Sequence, residues 1–187
     1  MSMALTTCDT ELFRRTIGHF ATGVTVITTR HGGSNHGMTA SAVTSLSLSP
    51  PMLVVCINRR APTHDAVSSS DSFVVNVLAR NQEQLAHQFS QPAADKFAGV
   101  GVQAGVLDLP LLSGCLANFE CRVTDRTTGG THTIFLAEVV AAVAYAQRQP
   151  LLYYCGRFGR LALPDDLVTS AEAPPVNGWS SEWFRLG

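Results

Sequence analysis

The run Val24-Thr25-Val26-Ile27-Thr28-Thr29 constrains this chain most. Six β-branched residues in succession are poor helix material and fit a pleated strand. Similar short runs recur at residues 52–57, 73–78, 117–123 and 133–143, and extended segments are predicted at 38–48 and 150–157. Turn-forming residues punctuate them, at His31-Gly32-Gly33-Ser34-Asn35, at Pro50-Pro51 and over residues 125–130. The apolar run 52–57 is expected to be buried on both faces. Helical spacing appears in three places. Asp9 or Thr10 caps a first helix containing Leu12, Phe13, Ile17 and Phe20, which Thr22-Gly23 ends. Thr63 is expected to cap a second, ending near Ser69. A third spans residues 81–89. Many strands at short intervals with few helices predict a mainly β chain: an antiparallel β-barrel with helices over its ends, not a βαβ fold. No Gly-x-Gly-x-x-Gly opens a helix after a strand, which argues against a doubly wound dinucleotide site.

Composition narrows the class. The 187 residues are 45% hydrophobic and only 14% charged, with a mean hydropathy of +0.15 and a net charge of −1. One domain over residues 11–163 is expected, with a tail at 1–10 and an aromatic arm at 164–187 carrying Trp179, Trp183 and Phe184. So few charges point to surface hidden in an oligomer. No basic tract suits nucleic acid. No apolar run reaches the ~18 residues that span a membrane, and the start Met1-Ser2-Met3-Ala4-Leu5 has no signal-peptide pattern, so a cytoplasmic protein is expected. The cysteines, Cys8, Cys56, Cys115, Cys121 and Cys155, are odd in number and lack metal-ligand spacing. Reduced, mostly buried thiols are expected, and no metal.

Three clusters carry candidate chemistry. The stretch from Gly37 to Pro51 is dense in small hydroxyl residues, which let backbone N–H groups approach a flat heterocycle or a phosphate; a solvated edge strand explains it equally well. The segment from Asn58 to Asp65 follows a strand and opens a helix, the arrangement of an anion site, or else of a capped turn with solvated arginines. His132 follows Gly129-Gly130-Thr131 at the mouth of a strand, where it is placed to face a ligand. No Gly-x-Ser-x-Gly or His-Glu-x-x-His pattern suggests hydrolysis.

Five segments taken together resemble the flavin reductase family, the short NAD(P)H:flavin oxidoreductases that serve as reductase components of two-component flavin monooxygenases. They are Phe20-Ala21-Thr22-Gly23-Val24-Thr25-Val26-Ile27-Thr28; Gly37-Met38-Thr39-Ala40-Ser41 through Thr44-Ser45 to Pro50-Pro51; Phe73-Val74-Val75-Asn76-Val77-Leu78; His132-Thr133-Ile134-Phe135 through Glu138-Val139; and Pro150-Leu151-Leu152-Tyr153-Tyr154 with Gly156-Arg157-Phe158. The resemblance implies an antiparallel split β-barrel of the FMN-binding type with a few flanking helices. It implies a homodimer with flavin near the subunit interface, FMN or FAD as flavin, and NADH or NADPH as donor. By position, Met38, Thr39, Ala40, Ser41, Thr44 and Ser45 would hold the isoalloxazine and ribityl chain. Asn58 and Thr63, with Arg60 or His64, would lie near the phosphate. Lys96 and Phe97 would close over the flavin, and His132 and Tyr154 would face the nicotinamide. Where the family often shows Gly-Asp-His and Gly-Glu-Val, this chain has Gly130-Thr131-His132 and Ala137-Glu138-Val139. The resemblance leaves a second reading open: a flavin-binding module, or a flavoprotein that reduces another acceptor through a tightly bound flavin.

Overall fold

A computed structural model describes residues 5–162; the expected arm at 164–187 lies outside the described residues. Helix α1 (Thr10–Ile17) is capped by Asp9, whose carboxylate accepts the Leu12 N–H at 2.8 Å. It ends at Gly18, earlier than the sequence suggests, because Thr22–Gly23 are taken up by a short strand, β1. Strands β2 (Thr25–His31) and β3 (Ser34–Ala40) form a hairpin. Its two-residue turn holds Gly32 at φ +57° and Gly33 at φ +77°, the left-handed backbone that a tight hairpin of matching twist requires. Strands β4 (Val43–Leu48) and β5 (Pro51–Asn58) form the next. The irregular middle expected between residues 38 and 48 is the break at Ser41-Ala42.

Helix α2 (Pro62–Ser70) follows. Its N-cap is Ala61 and not Thr63, because Pro62 sets the helical φ at the first position and pulls the start forward. Then come β6 (Ser72–Val77), α3 (Glu83–Ser90), β7 (Val102–Ala104) and β8 (Pro110–Leu112). Two long strands, β9 (Ala117–Gly129) and β10 (His132–Ala144), make one hairpin, and β11 (Leu151–Tyr154) and β12 (Arg157–Arg160) close the described chain. Residues 125–130, expected to be a turn, are instead mostly strand. Only β10 pairs with this end of β9, so its free edge and polar side chains face solvent and read locally like a loop.

Seven strands form one antiparallel sheet in the order β3-β2-β6-β9-β10-β5-β4. Its two edge strands are consecutive in the chain, joined by Ser41 and Ala42 alone. Flat, such a sheet would hold its edges ~28 Å apart, at ~4.7 Å per strand. The three Cα steps from Ala40 to Val43 reach at most ~11 Å. The sheet must therefore curl until its edges meet at that corner, as the antiparallel split barrel does. Ile27, Val55, Ile57, Phe73, Val75, Cys121 and Phe135 fill the interior, with Val67 of α2 packed among them. A second apolar cluster lies on the outer face under α3 and β11, around Val26, Leu78, Phe89, Leu112 and Leu151.

Two cores explain the strongest sequence signal. Ile27 faces one and Val26 the other, so β2 is buried on both faces and needs apolar or hydrogen-bonded residues at every position. That burial was expected of residues 52–57. There only Val55 and Ile57 are buried, because the outer face of β5 has no second layer. Two of the five cysteines, Cys115 and Cys121, are buried, and burial pushes their thiols up to about 11 and about 12; Cys56 is half-buried, and Cys8 and Cys155 are exposed. No helix of the described residues is long and apolar enough to cross a membrane.

Candidate functional site

The corner where the sheet edges meet is the centre of the site. Gly37 keeps β3 close to α3: a Cβ there would come within 2.5 Å of the Phe89 ring. Thr39 Oγ1 donates to Ala86 O at 2.6 Å, tying β3 to α3 a second time. Three concavities then share this strand end. One of about 690 Å³ is walled by Met38 and Thr39, by Thr63 at the start of α2, and by Lys96 and Phe97. A second, about 510 Å³, takes in Thr39, Ala40 and Ser41. A third, about 720 Å³, takes in Ser41, Thr44 and Ser45 with an apolar floor that includes Leu53, Val75 and Phe119. Thr39 belongs to the first two and Ser41 to the last two. Nine of the twelve expected residues (Met38, Thr39, Ala40, Ser41, Thr44, Ser45, Thr63, Lys96 and Phe97) thus border three hollows with shared wall residues.

The polar groups there are of two kinds. Lys96 Nζ donates to Phe89 O at 2.9 Å, and burial lowers its pKa from 10.5. Phe97 stands edge-on to Phe89 with ring centres 5.0 Å apart. Both residues are thereby pinned. The first turn of α2 has no side-chain cap; Pro62 has no N–H and the His64 N–H donates to Ala61 O at 2.8 Å, which leaves the Thr63 N–H to an anion or to water. Ser41, Thr44 and Ser45 are exposed; among the described residues the bond of Thr44 Oγ1 to the neighbouring Ser45 O, at 3.4 Å, is long and local.

The remaining expected residues lie apart. Asn58 pairs in register with His132 across β5 and β10 and shares a cavity of about 420 Å³ with Arg59, Arg60 and Thr131, separate from the one that Thr63 borders. Asn58 Oδ1 accepts the Arg60 N–H at 2.9 Å, closing the turn. His132 Nδ1 lies 2.9 Å from Thr131 Oγ1. His64 uses one ring nitrogen on Thr133 Oγ1 and the other on Asp65 Oδ1, each at 2.9 Å, so it braces α2 against β10. Tyr154 belongs to the three-stranded sheet β1-β11-β12, not to the sheet of His132, and its hydroxyl lies 3.4 Å from His19 Nδ1. Its own pKa is raised, first by its hydrogen bond with Cys155.

Sequence reasoning missed His87, Arg157 and Phe158, which line the second hollow. His87 stands edge-on to Phe158 at 5.0 Å. They come from α3 and the β11–β12 hairpin, some 70 residues apart in the sequence (87 to 157–158); Gly156-Arg157-Phe158 belongs to the fifth resembling segment, but no local pattern ties it to His87 or to a ligand.

Comparison with known proteins gives one coherent result. Residues 17–162 match the model of the flavin reductase like domain. The chain is 49% identical over 154 residues to the reductase component of 4-nitrophenol 4-monooxygenase/4-nitrocatechol 2-monooxygenase from Rhodococcus opacus, covering 81% of this chain and 80% of that one. It is 40% identical over 166 residues to the NADH-dependent FAD reductase of Streptomyces globisporus, covering 84% and 88%. It superposes on the NADH:FAD oxidoreductase of Streptomyces globisporus C-1027 in complex with NAD and FAD fragments with a TM-score of 0.80 and 39% identity, over 84% of this chain and 94% of that one.

Proposed function

We propose, for a chain that belongs to the flavin reductase like family, an NADH-dependent reductase of free FAD or FMN that supplies reduced flavin to a partner monooxygenase. The observation that carries this reading is the group of three hollows with shared walls at the β3–β4 corner, bordered by small hydroxyl residues, a helix start without a side-chain cap, a pinned lysine and an aromatic wall. Those residues fit a flavin, which needs a narrow polar-edged slot for its rings and an anion site for its phosphate. When bound, the flavin supplies the acceptor position for the hydride that leaves C4 of the nicotinamide.

The chain's own work is binding and alignment. Thr39 to Ser41 bring backbone close to the ring system because their side chains are small. Thr44 and Ser45 offer hydroxyls to its polar edge and sugar chain. Thr63, with its helix N-terminus, takes the phosphate, and Lys96 adds positive charge that Phe89 O holds in place. Phe97 excludes water from one side. His132 orients the nicotinamide and Tyr154 flanks it, within a homodimer. The exposed apolar residues Phe13, Ile17, Phe20, Leu46 and Leu48 support that dimer. The functional unit spans residues 11–163 and works in the cytoplasm, in keeping with five free cysteines.

Anaerobic mixing with NADH and an excess of added FAD or FMN tests the reading: the added flavin should bleach at its visible band over many turnovers, and no bleaching would contradict it. His132→Ala should raise KM for NADH ~10-fold, about 1.4 kcal/mol of lost binding, with flavin affinity unchanged. Loss of flavin binding instead would remove His132 from the nicotinamide side.

A further inference from the structure

A polar hollow on the far side of β11 shares no lining residue with the site above. Its volume is about 490 Å³, within the range of small-ligand sites, and its walls are Arg80, Asn81, Gly114, Gln147, Arg148 and Gln149 with Ala79. No acidic residue lines it. Among the described residues neither arginine pairs with a carboxylate.

Both guanidinium groups are held in place by one edge. Arg80 Nη1 donates to Gln149 Oε1 at 2.8 Å, and its backbone N–H donates to Gln149 O at 2.8 Å. Arg148 lies over the Tyr145 ring, 4.0 Å from its centre, and its Nη1 donates to Cys115 O. A guanidinium carries five N–H donors. The described bonds use one terminal nitrogen of each, so both cations line one hollow with donors left over. Gly114, at φ +77°, keeps the wall thin: a Cβ there would press on Gln82 Nε2 at 3.1 Å.

We propose that this hollow is a binding site for a small oxyanion, a phosphate or carboxylate group, gripped between Arg80 and Arg148 with the amides of Asn81 and Gln147 beside it. Planar forks fixed in advance suit such groups bidentately and lose little side-chain freedom on binding. The site adjoins the three-stranded sheet. The Ala79–Pro150 bridge and the Leu151 N–H to Leu78 O bond, at 3.0 Å, join its walls to β11, the strand that carries Tyr153 and Tyr154.

Calorimetric titration of the full chain with inorganic pyrophosphate, orthophosphate and citrate, with and without saturating FMN, tests this. Saturable binding of at least one anion that survives FMN is expected. Arg80→Gln should weaken it ~10-fold or more, with Arg80→Lys in between, and added salt should weaken it further. Arg148→Gln should do the same if its thermal unfolding is unchanged; Arg80→Gln, whose side chain is exposed, stands alone if it is not. Preference for pyrophosphate marks a phosphorylated ligand, preference for citrate a carboxylate, and displacement by NADH the dinucleotide's own diphosphate. No saturable binding of any of the three, or binding that neither glutamine variant weakens, overturns the proposal.

Discussion

Two polar regions of this barrel have similar composition and opposite fates. Inside the sheet wall, Asn76 accepts from Leu112 N–H at 2.9 Å and from Asn118 Nδ2 at 2.8 Å, and donates to Val26 O and Thr28 Oγ1, each at 2.9 Å. All of Thr28, Asn76 and Asn118 are buried, and every bond is made within the protein. At the β3–β4 corner, Ser41, Thr44 and Ser45 are as polar, yet exposed and nearly without protein partners. A buried hydroxyl or amide costs free energy unless it is paired, so the first set is committed to stability. The second is uncommitted, and so remains available to a ligand.

The comparison breaks first at Asn76. Asn76→Ala should orphan several buried groups at once and lower unfolding free energy by about 3 kcal/mol. Urea unfolding checks this, and a loss below about 1 kcal/mol would deny the network its role. Gly37→Ala comes next. The added Cβ meets Phe89, so destabilisation of about 1–3 kcal/mol is expected, together with weaker flavin binding as Phe97 follows its neighbour. At the corner the pattern should reverse. Thr44→Val and Ser45→Ala should change stability by under about 0.5 kcal/mol yet each weaken flavin ~10-fold, read by quenching of flavin fluorescence. Stability loss without loss of binding would make the corner structural.

The smallest effect is at Lys96, which is only partly buried. Its folded pKa is lowered from 10.5, so between that lowered value and 10.5 the unfolded chain binds more protons. The contribution of this group to stability therefore rises with pH across that window. Comparing urea midpoints of wild type and Lys96→Met from neutral pH to 10.5 should show a slightly shallower rise in the variant.

The same contrast explains what the sequence made legible. Residues 24–29 stand out because β2 separates two cores and tolerates little else. The Thr39-to-Ser45 stretch stands out because small hydroxyl residues cluster there, and its motif order carries the family resemblance. Where neighbours are remote, local pattern fails. Thr22–Gly23 reads as a helix stop, but becomes a strand through pairing with Leu152 and Tyr153. Residues 125–129 read as a turn because one strand edge is free, while Arg126 anchors them by donating to Ser68 O at 3.0 Å and pairing with Asp71. His87, Arg157 and Phe158 converge only through the packing of α3 on the last hairpin.

The central claim is tested most directly by following the absorbance of reduced nicotinamide while the purified chain is mixed with NADH, alone and with FMN or FAD. The account predicts rapid NADH oxidation that depends on added flavin and falls in Thr44→Val and Ser45→Ala. Oxidation at the same rate without added flavin, or none with either flavin, would contradict it.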